Sequence, residues 1–163
     1  MAIQECADRP IIYVGLVETR FGTSGLDSMT ASTVPFALVV DDDPMILMDT
    51  TVILEDAGFR VHEAMDGEEA KSVLSEHSES IILLFSDVDM PGETNGFGLA
   101  RHVDRHWPHI EIVIASGHVL PGEGDMPDRA TFISKPFNKR TVHEHLAKML
   151  PDEKKPEPLA KAV

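Results

Sequence analysis

The chain has 163 residues, 42% of them hydrophobic, and its formal net charge at pH 7 is −14. This length suits one globular domain with additional residues at its ends, and the acidic balance argues against a nucleic-acid surface, which needs clustered Lys and Arg. The single cysteine, Cys6, excludes a disulfide framework and fits a reducing cytoplasm, and the apolar run at 11–17 is too short to span a bilayer.

The first 34 residues mix Gly, Ser and Thr and show no sustained hydrophobic period. We therefore expect residues 1–34 to be a dispensable and poorly ordered N-terminal extension. The alternative for the apolar run at 11–17 is that it packs as an extra strand or forms a dimer contact.

From residue 35 onward, short apolar runs alternate with segments of helical periodicity. Each run has the length of a buried strand and little polar content. The strands predicted from these runs cover 36–40, 59–64, 81–85, 110–115 and 131–134.

Helix signals lie between the predicted strands. Asp43 is placed to cap a helix that begins at Pro44. An apolar repeat at i, i+3 and i+7 also indicates this helix, and the repeat consists of Met45, Met48 and Val52. Gly58 is placed to end it. The spacing of Asp66 and Glu69 resembles a capping box for the second helix.

The later segments carry weaker signals. Apolar residues at helical spacing predict a third helix near 97–107 and a last helix near 142–149. The segment 118–130 contains two prolines and two glycines, so we expect a short or broken helix there. The charged, Pro-rich tail at 151–163 is predicted to be disordered.

Strands that alternate with helices predict a parallel sheet with helices on both faces. In such sheets, ligands bind beyond the carboxyl ends of the strands. Polar residues follow or end four of the predicted strands, and they are Asp41, Asp42, Asp87, Ser116 and Lys135. The sequence therefore predicts a site at this edge of the sheet.

The chemistry of these residues narrows the kind of site. Neighbouring carboxylates repel one another unless a cation compensates them, and Mg²⁺ suits a few carboxylates together with a phosphate oxygen. Lys135 could hold a phosphoryl group, and the hydroxyl of Ser116 could donate a hydrogen bond to it. This set favours phosphoryl transfer onto an aspartate.

At these residues the sequence resembles the receiver domain of two-component response regulators. The matching motifs stand in the family's order and spacing, and they are "VVDD" (39–42), "SDVDMPG" (86–92), "ASG" (115–117) and "SKPF" (134–137). The resemblance covers residues 35–150. It implies an α/β fold with a doubly wound, five-stranded parallel sheet of flavodoxin-like strand order 2-1-3-4-5.

The resemblance also implies a role for each matched residue. Asp87 would be the phosphoacceptor, assisted by Lys135 and Ser116. Asp42 and Asp87 would bind Mg²⁺ directly, Asp41 would bind it through water, and Asp89 through its backbone carbonyl. Ser116 and Phe132 would form the conformational switch; the alternative interpretation of Phe132 is a core residue. The peptide bond from Lys135 to Pro136 is expected to be cis.

Two departures from the family pattern concern loops and flanking residues. The loop at 90–96 is about one residue longer than is usual in the family. Asp89 and His118 stand at the variable positions that flank the phosphoacceptor.

The sequence also suggests three alternatives to this interpretation. The D-x-D pattern at Asp87 and Asp89 also occurs in haloacid-dehalogenase-like phosphatases, but their acidic pair follows the lysine, whereas here the pair precedes Asp87. His102, His106 and His109 could hold zinc, but no cysteine or carboxylate completes the set. A receiver that is never phosphorylated would lack one of the matched residues, and all are present.

We therefore expect a single-domain response regulator without an output domain, a signalling switch rather than an enzyme. Its phosphoryl donor would be a sensor histidine kinase or a histidine phosphotransfer protein, and a further protein would receive the signal. We expect a cytoplasmic protein that binds neither nucleic acid nor membrane, as a monomer or a weak homodimer.

Overall fold

The computed structural model of the protein describes residues 34–161. The expectations for the N-terminal extension, including the apolar run at 11–17, lie outside the described residues. No helix within 34–161 has both the length and the apolar character needed to cross a bilayer.

Five parallel strands form one sheet in the order β2-β1-β3-β4-β5, which confirms the predicted fold class. The elements follow in the order β1 (Phe36–Val40), α1 (Pro44–Asp56), β2 (Arg60–Ala64), α2 (Gly67–His77), β3 (Ile81–Asp87), α3 (Gly96–His106), β4 (Glu111–Ser116), β5 (Thr131–Ser134), α4 (Lys139–Met149), a 3₁₀ turn (Asp152–Lys154) and α5 (Glu157–Lys161).

Alternation along the strands divides the core into two layers. Leu38 and Val40 of β1 point to one face of the sheet, where they pack with residues of α2 and α3. Ala37 and Val39 point to the other face, where they pack with residues of α1, α4 and α5. Because both faces are covered, the central strands are apolar throughout and only their ends carry polar side chains.

The first helix forms where it was predicted, but its buried face differs from the apolar repeat that indicated it. Met45, Met48 and Val52 are 65%, 53% and 51% exposed. The buried positions are Leu47, Thr50 and Leu54, which have the same spacing two residues further along. Two residues correspond to about 200° around a helix, so the exposed stripe lies opposite the core.

Both ends of α1 follow the predicted local chemistry. The Asp43 side chain accepts hydrogen bonds from the backbone N–H groups of Met45 and Ile46, which confirms it as the N-cap. Gly58 follows the helix with φ of 104°, a conformation that L-residues with side chains rarely adopt.

No helix forms between β4 and β5, so the segment 117–130 is less regular than the short or broken helix expected there. Its prolines and glycines remove backbone donors and add chain entropy. Contacts to α3 hold the segment instead. Arg129 pairs with Asp104, and Arg101 donates a hydrogen bond to the main-chain oxygen of Asp125.

The C-terminal tail differs from the expectation of disorder. Residues 152–154 form a 3₁₀ turn and residues 157–161 form α5. Leu159 is 1% exposed and packs in the core layer that includes Leu54 and Phe59. Leu159 is not the only contact of this segment, since Pro156 is also buried and Lys154 pairs with Glu111 of β4. Together these contacts offset part of the entropy lost when the segment becomes ordered.

Candidate functional site

The carboxyl ends of the sheet bring the predicted polar residues to one edge. Asp41 and Asp42 follow β1, Asp87 ends β3 and Lys135 follows β5. The strand order places β1 beside β3, and their register pairs Val40 with Ser86, one residue before each acid. The carboxylates from these two strands therefore meet at the centre of the sheet.

Lys135 joins the carboxylates of the two central strands. Its Nζ lies 2.7 Å from Oδ2 of Asp41 and 2.9 Å from Oδ1 of Asp87. The side chains of Lys135, Asp41 and Asp87 are 16%, 6% and 8% exposed. Because water screens these charges poorly, the ammonium group is the main compensation for both carboxylates among the described residues.

Burial and neighbouring charge act in opposite directions on Asp87. Burial raises the pKa of the Asp87 carboxyl, Lys135 lowers it, and the negative charges of Asp41 and Asp89 raise it again, so that the net pKa is raised. Burial alone would lower the pKa of Lys135, but its bonds to Asp41 and Asp87 raise it overall. Lys135 therefore stays charged. The negative charges of Asp41 and Asp89 remain close to the Asp87 carboxyl.

Three carboxylates fit the ligand requirements of a hard cation. Asp41, Asp42 and Asp87 each offer an oxygen, and these oxygens lie within 4.8 Å of one another. Two oxygens bound to one Mg²⁺ at about 2.1 Å must lie within about 4.2 Å, so small side-chain adjustments suffice. Asp42 is exposed, whereas Asp41 is buried and its Oδ1 accepts a hydrogen bond from the backbone N–H of Asp43.

Asp89 and His118 are exposed residues that line the same groove as Asp87. Both residues therefore lie at the mouth of the site. The peptide bond between Lys135 and Pro136 is cis, as predicted.

Ser116 lies at the carboxyl end of β4 but contacts a different partner. Its side chain is buried, and its Oγ accepts hydrogen bonds from the backbone N–H groups of Val119 at 3.0 Å and His118 at 3.3 Å. The hydroxyl therefore holds the start of the segment 117–130. Phe132 of β5 is half-buried and packs against the core layer beside α2 and α3.

An open groove of about 1140 Å³ connects the acids to the surface of α1 and to the start of α4. Its lining includes Asp42, Asp87 and Lys135 at one end and Met48 and Val52 of the exposed stripe at the other. A molecule that reaches Asp87 through this groove therefore also meets the apolar side of α1.

One site residue that the sequence interpretation missed is Gly96. A Cβ atom on Gly96 would lie 2.0 Å from the main-chain oxygen of Asp87, so only glycine allows α3 to begin this close to the acid. Its place after the loop at 90–95 gave a weak signal, because glycine also commonly occurs in turns.

The histidines considered for zinc do not form a three-ligand cluster in the described part of the chain. His102 and His106 are neighbours on α3, with ring centroids 4.2 Å apart. The ring of His109, however, bonds to the main-chain oxygen of Ser78. Of residues 34–161, only the three acids at the strand ends meet the geometric requirement for a shared metal ion.

Comparisons with known proteins agree with this geometry. The family model described as "response regulator receiver domain" matches residues 37–147. The chain is 33% identical over 116 residues to the response regulator receiver protein CpdR of Brucella abortus, covering 69% of this chain and 94% of CpdR. The chemotaxis protein CheY4 of Vibrio cholerae superposes with a TM-score of 0.61 at 27% identity, covering 72% of this chain and 99% of CheY4.

Longer proteins also contain a region similar to this chain. The sensor kinase CckA of Brucella abortus is 29% identical over 120 residues, which cover 69% of this chain. The chain spans 12% of the CckA sequence, and it spans 56% and 45% of two further curated relatives. The similarity to these proteins therefore concerns one domain of each.

Proposed function

The chain belongs to the response regulator receiver domain family, and on this premise we propose that it is phosphorylated on Asp87 in two-component signalling. The observation that supports this role best is the placement of Asp87 at the end of a central strand, 2.9 Å from the Lys135 ammonium and open to the groove. Asp41 is also buried, paired with Lys135 and part of the groove lining, but both of its carboxylate oxygens already accept hydrogen bonds, one from Lys135 and one from the backbone N–H of Asp43.

In the proposed reaction, an oxygen of the Asp87 carboxylate attacks phosphorus of a phosphohistidine on the donor protein. The new O–P bond forms as the P–N bond breaks, and the leaving imidazole takes up a proton. Asp87 must be ionised to attack, and Lys135 favours that form because its ammonium lies beside the carboxylate. After transfer, the same ammonium can pair with a phosphoryl oxygen.

The carboxylates of Asp42 and Asp87 and the backbone carbonyl of Asp89 would hold Mg²⁺ directly, and Asp41 would hold it through water. When bound, Mg²⁺ supplies positive charge between the acceptor carboxylate and the phosphoryl oxygens, which otherwise repel each other. Asp42 is suited to this role because it is exposed and has no lysine partner among residues 34–161.

Ser116 and Phe132 are proposed to carry the change from Asp87 to the surface. The Ser116 Oγ accepts hydrogen bonds from the backbone N–H groups of His118 and Val119, and its own hydrogen is available to donate to a phosphoryl oxygen. A turn of this hydroxyl toward the phosphoryl group would pull on the start of the segment 117–130, and the half-buried Phe132 would repack with it. The phosphoryl group would thereby favour one of two arrangements of this segment.

The donor is proposed to be a histidine kinase or a histidine phosphotransfer protein that docks on α1. Its histidine must enter the groove to reach Asp87, and the groove opens beside the exposed stripe formed by Met45, Met48 and Val52. Burial of large exposed apolar side chains is a common source of binding energy at protein interfaces. The downstream partner is proposed to be a protein that distinguishes the two arrangements of 117–130.

A phosphorylation assay tests the proposed role of Asp87. The chain is incubated with Mg²⁺ and either acetyl phosphate or an autophosphorylated histidine kinase core, and incorporation is followed by intact mass. We expect one acid-labile phosphoryl group on the wild type and none on Asp87→Asn. Asp128→Asn, at an exposed acid far along the segment 117–130, is the matched control and should be labelled normally.

Two results would contradict the proposed role. Labelling that is stable to acid, or that persists in Asp87→Asn, would place the phosphoryl group on another residue. Repeated turnover of a chromogenic phosphate monoester would instead indicate a phosphatase that uses Asp87 as its nucleophile.

A further inference from the structure

A second pocket lies between α2 and α3, apart from the groove that contains Asp87. It encloses about 420 Å³, and the two share no lining residue. The cationic side chains of the pocket are Lys71 on α2 and Arg101 and Arg105 on α3. The loop 93–95, which lies in the long connection after Asp87, forms another part of its wall.

The pocket is a basic site on an acidic protein. Its three cationic side chains face two carboxylates, that of Glu93 in the lining and that of Glu68, which is ion-paired with Lys71, and this leaves a surplus of one positive charge. His102 also lines the pocket, and burial, followed by the charges of His106 and Lys71, lowers its pKa, so it adds no charge near neutral pH. The surplus contrasts with the net charge of −14 for the whole chain.

Arg101 donates a hydrogen bond to the main-chain oxygen of Asp125, and neither Arg101 nor Arg105 is paired with a carboxylate in the described part of the chain. Within residues 34–161, no carboxylate lies within 4.0 Å of the guanidinium of Arg101 or Arg105, whereas eight other cationic side chains have such a partner. The two lie four residues apart on α3, and like charges at this spacing destabilise a helix slightly. A bound anion would relieve this repulsion.

The walls of the pocket are held in place without a ligand. Nζ of Lys71 donates hydrogen bonds to Oγ1 of Thr94 at 2.8 Å and to Oε1 of Glu68 at 2.9 Å, which leaves a third donor. A Cβ atom on Gly67 would lie 2.6 Å from the main-chain oxygen of Thr94, so the start of α2 packs tightly on the loop. Asn95 caps α3, whose N-terminal turn adds partial positive charge.

We propose that this pocket binds a small dianionic phosphate ester of about the size of a nucleoside monophosphate. A phosphate monoester carries between about −1.5 and −2 charges at pH 7, and in this pocket it would meet the guanidinium groups of Arg101 and Arg105. Arginine forks bind phosphate oxygens in pairs, and the lysine adds a point charge. The volume exceeds that of an inorganic phosphate and lies within the range of about 300–1000 Å³ typical of small-molecule pockets.

Titration calorimetry on the full chain tests this proposal, with adenosine 5′-monophosphate as the probe and inorganic phosphate as the comparison. EDTA is present throughout, so that no divalent cation links a phosphate to the acids near Asp87. We expect saturable binding to one site, tighter for the nucleotide. Arg101→Gln and Arg105→Gln should each weaken binding about tenfold or more, the loss typical of a charged hydrogen-bond donor.

The matched control is Arg140→Gln, since Arg140 is an exposed arginine on α4 outside the pocket, and this variant should bind normally. In amide NMR spectra, the nucleotide should shift the signals of Thr94, Gly98 and His102. Those signals report the location of binding even if one arginine variant folds poorly.

Four outcomes would overturn the proposal. They are the absence of binding at nucleotide concentrations up to about 1 mM, affinities unchanged in both arginine variants, equal affinity for inorganic phosphate, and binding of an acidic peptide in place of the nucleotide. None of these measurements requires phosphorylation of Asp87, so the two proposals can fail independently.

Discussion

Nζ of Lys135 donates a hydrogen bond to Oδ1 of Asp87 across 2.9 Å, and this contact joins the ends of two strands that are not adjacent in the sheet. The same ammonium also compensates Asp41. One cation thus serves two buried carboxylates, while Asp42 and Asp89 add further negative charge to the groove. Without a metal ion, the site carries more negative charge than its own residues compensate, and this imbalance leads to the first two predictions.

Replacement of Asp87 by Asn is expected to stabilise the metal-free protein at about pH 7. Because the folded-state pKa of Asp87 is raised above its ordinary value of 3.8, ionisation destabilises the folded state. The destabilisation grows as the pH rises from 3.8 through the raised pKa and is complete above it. We expect Asp87→Asn to melt about 2–4 °C higher in EDTA, the shift that about 1 kcal/mol produces in a chain of this size.

The pH profile separates this effect from general stabilisation. The advantage of Asp87→Asn should shrink as the pH falls through the raised pKa of Asp87 and vanish below 3.8, where the wild-type carboxyl is protonated in both the folded and the unfolded state. Asp128→Asn, at an exposed position, should melt like the wild type at every pH. A lower melting temperature for Asp87→Asn would mean that its bond to Lys135 outweighs the cost of burying its charge.

Asp42→Asn is expected to remove most of the stabilisation that Mg²⁺ gives to the wild type. The three acid oxygens lie close enough to share an ion, and loss of one anionic ligand weakens a site built from carboxylates. Thermal melts with and without Mg²⁺ measure this difference. In EDTA the variant should melt slightly higher than the wild type, by less than Asp87→Asn, because Asp42 is exposed. Full retention of the Mg²⁺ effect would contradict the proposed ligand set.

Phe132→Ala is expected to spare phosphorylation of Asp87 and to weaken binding of the downstream protein. Phe132 is half-buried, so its truncation should cost less than the roughly 3–5 kcal/mol found for a fully buried Phe. Urea unfolding measures that cost, and phosphorylation is assayed in parallel. A cost of about 3 kcal/mol or more would indicate a core residue instead of a switch.

Leu159→Ala is expected to destabilise the protein by about 2–4 kcal/mol, because a buried leucine is replaced by a cavity. The measurement is the free energy of unfolding in urea. Leu120→Ala provides the control, since Leu120 is 76% exposed and its truncation should change stability little. Equal stability of Leu159→Ala and the wild type would show that α5 does not contribute to the core in solution.

Local signals in the sequence were enough to predict the strands, the caps and the edge of the sheet at which the acids lie. Asp43 caps α1 because its side chain needs only the backbone of the next three residues. Ser116 directly follows the apolar run of β4, and Asp87 lies two residues beyond the apolar run of β3. The strand order itself came from the family resemblance, since alternation of strands and helices does not specify which strands are neighbours.

Only the tertiary structure decided which of these residues touch and which faces are buried. The exposed residues Met45 and Met48 have the same helical spacing as the buried residues on the opposite face of α1. Periodicity alone could therefore not show which of the two faces points toward the sheet. Lys135 reaches Asp41 across 94 residues of chain, and Leu159 enters a core formed by distant elements. Such contacts depend on how the elements pack together, which no local pattern of charge or hydrophobicity specifies.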